Sequence, residues 1–190
     1  MNVANRGDTK PDTYVIDDEL RIDVGVVNKY QKHRGAQVGL GNTSFSSAGM
    51  QAGIANESGR INGVQIGAYN KGDTVAGVQL GVVNESYESR GLQAGLINQS
   101  DDVKGVQIGL FNACDGNGVQ AGLINVSDCG WFDGLQVGLL NITEEEMDGL
   151  QVGLFCYARD GAYAQFGLLT IRGSGPWYSR ISPVFGFSMD

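Results

Sequence analysis

Along most of the chain, apolar and polar residues alternate singly for eight positions and then give way to five to eight turn-forming ones. In Gly105-Val106-Gln107-Ile108-Gly109-Leu110-Phe111-Asn112, Val106, Ile108 and Leu110 fall on one face, and Gly105, Gln107, Gly109 and Phe111 on the other. A period of two over this length predicts a β-strand. The apolar trio recurs as Val64, Ile66 and Ala68, and again as Val78, Leu80 and Val82. That face is therefore expected to be the buried one. Where its second place is Ala52, Ala94 or Ala121, the first is Met50, Leu92 or Val119, which reads as partial volume compensation in a packed core.

The octet is a repeat. Gly-x-Gln-x-Gly-x-x-Asn also opens at Gly35, Gly49, Gly63, Gly77, Gly91, Gly118, Gly134 and Gly149, with Cys156 in the last Asn place. With Gly105 in the series, the starts lie 14, 14, 14, 14, 14, 13, 16 and 15 residues apart. Two eroded copies flank them. Arg21 to Asn28 carries Asp23 in the Gln place, and Tyr163 to Thr170 ends in Thr170. About eleven 14-residue units thus make one β-repeat domain over residues 21–170. Residues 1–20 read as a polar N-terminal leader, and residues 171–190, which include Gly175-Pro176-Trp177-Tyr178, as an aromatic cap on the last repeat.

Such a chain is all-β, and the repeat folds in one of two ways. In a tandem-repeat β-solenoid, or β-roll, each unit is one coil stacked about 4.8 Å from the next. Gln would then stand on Gln and Asn on Asn, in amide ladders of the cross-β kind. Gly would allow tight bends and close backbone approach. The alternative is an antiparallel meander closed into a barrel, with the spacers as hairpin loops. Constant register favours the solenoid, because a closed barrel needs shear; the variable spacers favour the meander.

Composition narrows the function more than it names it. The 30 glycines in 190 residues come with 42% hydrophobic residues, which excludes a disordered linker. A net charge of -8 excludes nucleic acid as the partner and disfavours an anionic membrane. Met1 to Lys10 has no apolar stretch of the secretory kind, so a cytoplasmic location stays open. Cys114, Cys129 and Cys156 occupy different phases of the repeat and read as free thiols. Arg6-Gly7-Asp8 matches a short adhesion tripeptide of a kind that arises by chance.

Known chemistries find little purchase. His33, the single histidine, is expected in an exposed spacer between Lys32 and Arg34. Asp101-Asp102 and Glu144-Glu145-Glu146 read as solvated turns. The Asn-x-Ser/Thr motifs at Asn56, Asn84, Asn98, Asn125 and Asn141 match a glycosylation acceptor, but their phase with the repeat points to chain corners. Tyr69, Phe111 and Phe155 share the seventh octet place and are candidates for packing or for a partner-binding strip. No residue is assigned as catalytic, as cofactor-binding or as a metal ligand, and no cofactor is expected.

The Gly-Val-Gln-Ile-Gly-Leu-Phe-Asn units, closed by Gly167-Leu168-Leu169 and Pro183-Val184-Phe185-Gly186-Phe187, resemble bacterial surface-repeat proteins of spirochaetes and Bacteroidetes. Val64-Gln65-Ile66-Gly67 is more distantly similar to the 14-residue coils in the heads of trimeric adhesins. The first resemblance implies a non-enzymatic protein at a bacterial cell surface, presenting an extended β surface for interaction or adhesion, most naturally through its exposed spacers. The competing expectation is an outer-membrane-type barrel or pore, with Val, Ile and Leu toward lipid and Gly and Gln lining the lumen. The partner is an unknown protein or surface, and the oligomeric state is open.

Overall fold

The computed structural model describes residues 3–4, 16–128, 130–173 and 181–188. Cys129, Arg6-Gly7-Asp8 and Gly175-Pro176-Trp177-Tyr178 lie outside them. The described residues are strands and bends without a helix. They divide into two compact units, Met1–Gly95 and Leu96–Asp190.

The first unit holds β1 (Val3–Ala4), β2 (Ile16–Val24), β3 (Val27–Val38), β4 (Gly41–Ala52) and β5 (Ala55–Ala94), the last of which winds through 40 residues. Neighbours are parallel, and each octet residue pairs with its counterpart in the next repeat: Gln37 lies beside Gln51 and Asn28 beside Asn42, then Gln51 beside Gln65 and Asn42 beside Asn56. The second unit holds β6 (Ile97–Ile108), β7 (Phe111–Ala121), β8 (Ile124–Ser127), β9 (Trp131–Asp160), β10 (Tyr163–Arg172) and β11 (Ile181–Ser188). Here too the coils are parallel, with Gln107 beside Gln120, Gln120 beside Gln136, and Gln165 beside Gln151. The chain is therefore a β-solenoid, not the antiparallel barrel. A local bulge reconciles the variable spacers with constant register: in the 13-residue repeat Ser100 pairs Cys114 and Val103 pairs Gly116, so two residues face one. Among the described strands, β11 departs from this and runs antiparallel along the edge of β10.

The interior inverts the expected facing. Every Gln of the octets, Gln37 to Gln165, is fully buried, and Asn56 to Asn141 are equally so. Val, Ile and Leu of the apolar trio face outward instead, with Ile108 at 49% and Leu110 at 51% exposed. Burying an amide is tolerable only when each polar atom is bonded, and stacking arranges that. Gln51 Nε2 donates to Gln37 Oε1 at 2.7 Å, Gln65 to Gln51 at 2.9 Å, and Gln79 to Gln65 at 2.8 Å. The second hydrogen of Gln65 crosses the coil to the Lys71 carbonyl at 3.2 Å. In the other ladder Asn42 Nδ2 donates to Asn56 Oδ1 at 2.7 Å and to the Ala52 carbonyl at 3.0 Å. A carbonyl only accepts, so these contacts fix which end of each amide carries nitrogen. Gln donates toward the preceding coil and Asn toward the following one. The two ladders thus run with opposite polarity.

Both glycines of the octet follow from this packing. Gly77 has φ +144, and a Cβ there would meet the Gly63 carbonyl of the coil before. A Cβ on Gly81 would lie 2.6 Å from Asn70 Nδ2, so the Asn ladder occupies the space a side chain would need.

The spacers also contribute to the interior. Two further inward rows lie there, one of small residues such as Ser44, Ser58 and Ser86, and one that includes Ile61 and Val75. In the second unit Val103, Cys114, Phe132, Met147, Ala158 and Tyr163 join into an apolar cluster. Gly116 stands beside Phe132 in register, small against large. The Asn-x-Ser/Thr motifs are accordingly two inward residues around one outward residue. Asn56 and Ser58 are both buried, and among the described residues no Asn adopts the left-handed backbone of a corner.

Candidate functional site

With the core filled by amides, the apolar surface lies outside. In the second unit the sixth octet place forms a row of leucines: Leu96, Leu110, Leu123, Leu139, Leu154 and Leu168, each between 46% and 66% exposed. Backbone hydrogen bonds of 3.0 Å from Leu110 to Leu96, from Leu123 to Leu110 and from Leu139 to Leu123 hold the row at coil spacing. The fourth place adds Ile108, Val137, Val152 and Phe166 on one flank, and the seventh adds Ile97, Phe111, Ile124 and Phe155 on the other. None of these three rows contains a charged residue. Phe111 and Phe155 therefore lie on the outer surface beside the leucines, not on the face opposite the apolar trio, because the bend at Gly109-Leu110 resets the alternation. The first unit repeats the design with Leu40, Ile54 and Val82 exposed, but Gly41 and Ala55 thin its seventh-place row.

Next to these rows the second unit has an open depression of about 620 Å³, lined by Leu140, Phe155, Tyr157 and Ile171, with Glu144 and Arg159 on its walls. Cys156, where the Asn ladder stops, also lines it.

The polar candidates sit elsewhere. His33 is 3% exposed, not in an exposed loop, and its Nε2 lies 3.1 Å from Asp23 Oδ2. It belongs to the inward spacer row, in register with Ser47, while Asp23 is in register with Gln37. Asp23 thus replaces a neutral amide at the first rung with a carboxylate, and a histidine approaches it. Arg21 Nε stands 3.9 Å from the same carboxylate.

On the outside of the first unit, Tyr69 Oη donates to Glu85 Oε2 at 2.5 Å and Lys71 Nζ to Glu85 Oε1 at 2.7 Å. The Lys71 hydrogen bond, with help from Tyr69, holds the Glu85 carboxyl below its ordinary range. The bond to Glu85 in turn pushes both the Tyr69 hydroxyl and the Lys71 ammonium up. Asp102 pairs with Lys104 at 3.2 Å and Glu145 with Arg159 at 3.1 Å, both at the surface. Both clusters lie on the strands β6 and β9, ion-paired at the surface, and not in the expected turns.

Cys114 and Cys156 are free and buried, and burial pushes both thiols upward, away from the thiolate form that nucleophilic chemistry needs. Among the described residues no group of three or more His, Cys, Asp or Glu is placed to hold a metal ion. No helix among them is long and apolar enough to cross a membrane.

The spacers, expected to carry partner contacts, are thus half interior. The most continuous feature left outside is the set of apolar rows. The alternation placed the fourth- and sixth-place rows in the core, whereas Phe111 and Phe155 of the seventh were candidates for packing or for a partner-binding strip.

Fold and surface together define a β-solenoid repeat protein with an amide interior. Comparison of the chain with protein-family models, curated proteins and solved structures finds no match.

Proposed function

We propose that this chain is a non-enzymatic β-solenoid that presents an extended, regularly spaced apolar surface for interaction or adhesion, at a bacterial cell surface as the repeat pattern's resemblance implies. The observation that carries the reading is the leucine row, six residues deep and about half exposed, with uncharged rows on both flanks. Isolated exposed hydrophobics are ordinary, whereas a contiguous strip of this extent is the mark of an interaction site. The interior supports the same reading, since hydrogen-bonded amides fill it and leave the outer surface as the place for a partner.

The test is adhesion by beads coated with the full chain. Coated beads are expected to bind intact bacterial cells, and beads carrying Leu110→Lys with Leu139→Lys to lose most of that binding while the variant keeps its circular dichroism. Equal binding by both proteins would remove the row from the function. Protease treatment of intact cells that produce the chain reports location: digestion of the chain supports the cell surface, and full protection overturns it.

A further inference from the structure

We infer that the leucine-row face of the second unit is a self-association surface, on which a second copy of this chain docks face to face. This deepens the proposed interaction role by naming the partner, and it rests on that reading.

Size comes first. With the leucines about half exposed and the flanking rows slightly less, the face offers on the order of 1,000 Å² of apolar surface, against about 300–600 Å² for the largest patch on a typical monomer and about 800 Å² per partner in a standard interface. The area is what a stable dimer needs.

Periodicity comes second. The row repeats at the spacing of backbone-bonded coils, about 4.8 Å, and only a surface with the same repeat keeps its side chains in phase with it along six rungs. A second copy has that repeat by construction. Its leucines can seat between those of the first, as side chains do in dry interfaces between stacked sheets. Contact of the same face on both copies is isologous, so the assembly closes as a dimer and does not grow.

Charge comes third. The chain carries -8, yet the three rows are uncharged. Acidic residues such as Asp102 and Glu145 belong to the spacers and not to the three rows, and each is paired with a cation, Lys104 or Arg159. Two copies can therefore join these faces without bringing like charges together. A bilayer suits the face less well, because segments that lie on membranes carry Lys and Arg beside the apolar strip, and here the net charge has the opposite sign.

The experiment is sedimentation velocity on the full chain from low to high micromolar concentration, with Cys129→Ser as background. A monomer–dimer equilibrium is expected. Leu110→Glu with Leu139→Glu should weaken it by roughly thirtyfold or more, while Ile54→Glu in the first unit leaves it unchanged. Should the double variant fail to fold, Leu123→Cys provides a second reading: mild oxidation should link two copies through the middle of the row. A monomer at all concentrations, a dimer indifferent to the double variant, or absence of the Leu123→Cys link would overturn the proposal. So would a monomer that floats with phosphatidylcholine vesicles, which would assign the face to lipid. If the chain is monomeric but bead adhesion still depends on Leu110 and Leu139, self-association falls and the interaction reading stands. If it dimerises through the row and adhesion is indifferent to it, the adhesive role falls instead.

Discussion

Asn141 donates its side-chain amide to the sulfur of Cys156 across 3.7 Å, whereas Asn125, one rung earlier, reaches the oxygen of Asn141 at 2.8 Å. The thiol then passes its own hydrogen to the Phe166 carbonyl at 3.8 Å, the role played by Asn141 toward the Val152 carbonyl at 2.9 Å. Sulfur is a weak partner on both sides. Cys156→Asn is therefore expected to extend the ladder by one rung and to stabilise the second unit by about 1 kcal/mol. Chemical denaturation of the two proteins measures it, and a lower midpoint for the variant would show that the ladder has to end there.

The inverted interior reverses the usual ranking of substitutions. Gln65→Leu keeps approximate size but leaves Gln51 Oε1 without its donor and removes the acceptor of Gln79. The expected cost is about 2–4 kcal/mol. Ile54→Gln places an amide where the side chain is already 60% exposed and should cost under about 1 kcal/mol. Both positions are in the first unit, so thermal melts of the two variants compare them directly. A larger loss from Ile54→Gln would contradict an amide core.

Acid should act through Glu85. Its folded-state carboxyl titrates below its ordinary value because Lys71 and Tyr69 hold the charged form. Such a group contributes stability above the unfolded-state pKa and loses it as pH falls through the folded-state pKa. The contribution is small, since the pair is more than a third exposed. Glu85→Gln should melt slightly below the parent at neutral pH and together with it at pH well under 4, roughly the carboxyl range. An offset that persists unchanged in acid would assign the effect to packing.

How far the sequence could be read depends on which physical question is asked of it. Period and parallel stacking were legible, because a Gln in the same place ten times over is what in-register coils require. Amide ladders followed from the same fact. Facing did not. Alternation defines two faces without saying which is inside, and the general rule that apolar side chains are buried assigned Val106, Ile108 and Leu110 to the core. That rule fails here because a coil of this size admits few inward side chains, and stacking satisfies an amide along the axis as fully as water would. Phe132 and Met147 were hidden for a related reason: each stands two places before its octet, in phase with Ile61, Val75 and Val103, but His33, Ser47, Ser89 and Gly116 break that row with polar or small residues, and the packing partners lie in adjacent coils. His33 was read by its charged neighbours, Lys32 and Arg34, while its inward direction is set by Asp23 on the preceding coil. The fourth- and sixth-place rows were thus read as core and missed as a surface, while the seventh-place aromatics were left between packing and a partner-binding strip.

An interior of amides beneath an outer strip of leucine also changes how the protein responds to temperature. Unfolding newly exposes Gln and Asn, which lowers the heat capacity, and adds less apolar surface than usual, because Leu110, Leu123 and Leu139 already face water. The heat-capacity increment per residue should therefore fall below the ordinary ~12–15 cal/mol/K. The stability curve is correspondingly shallow, so cooling weakens this fold less than one that depends on an oily core.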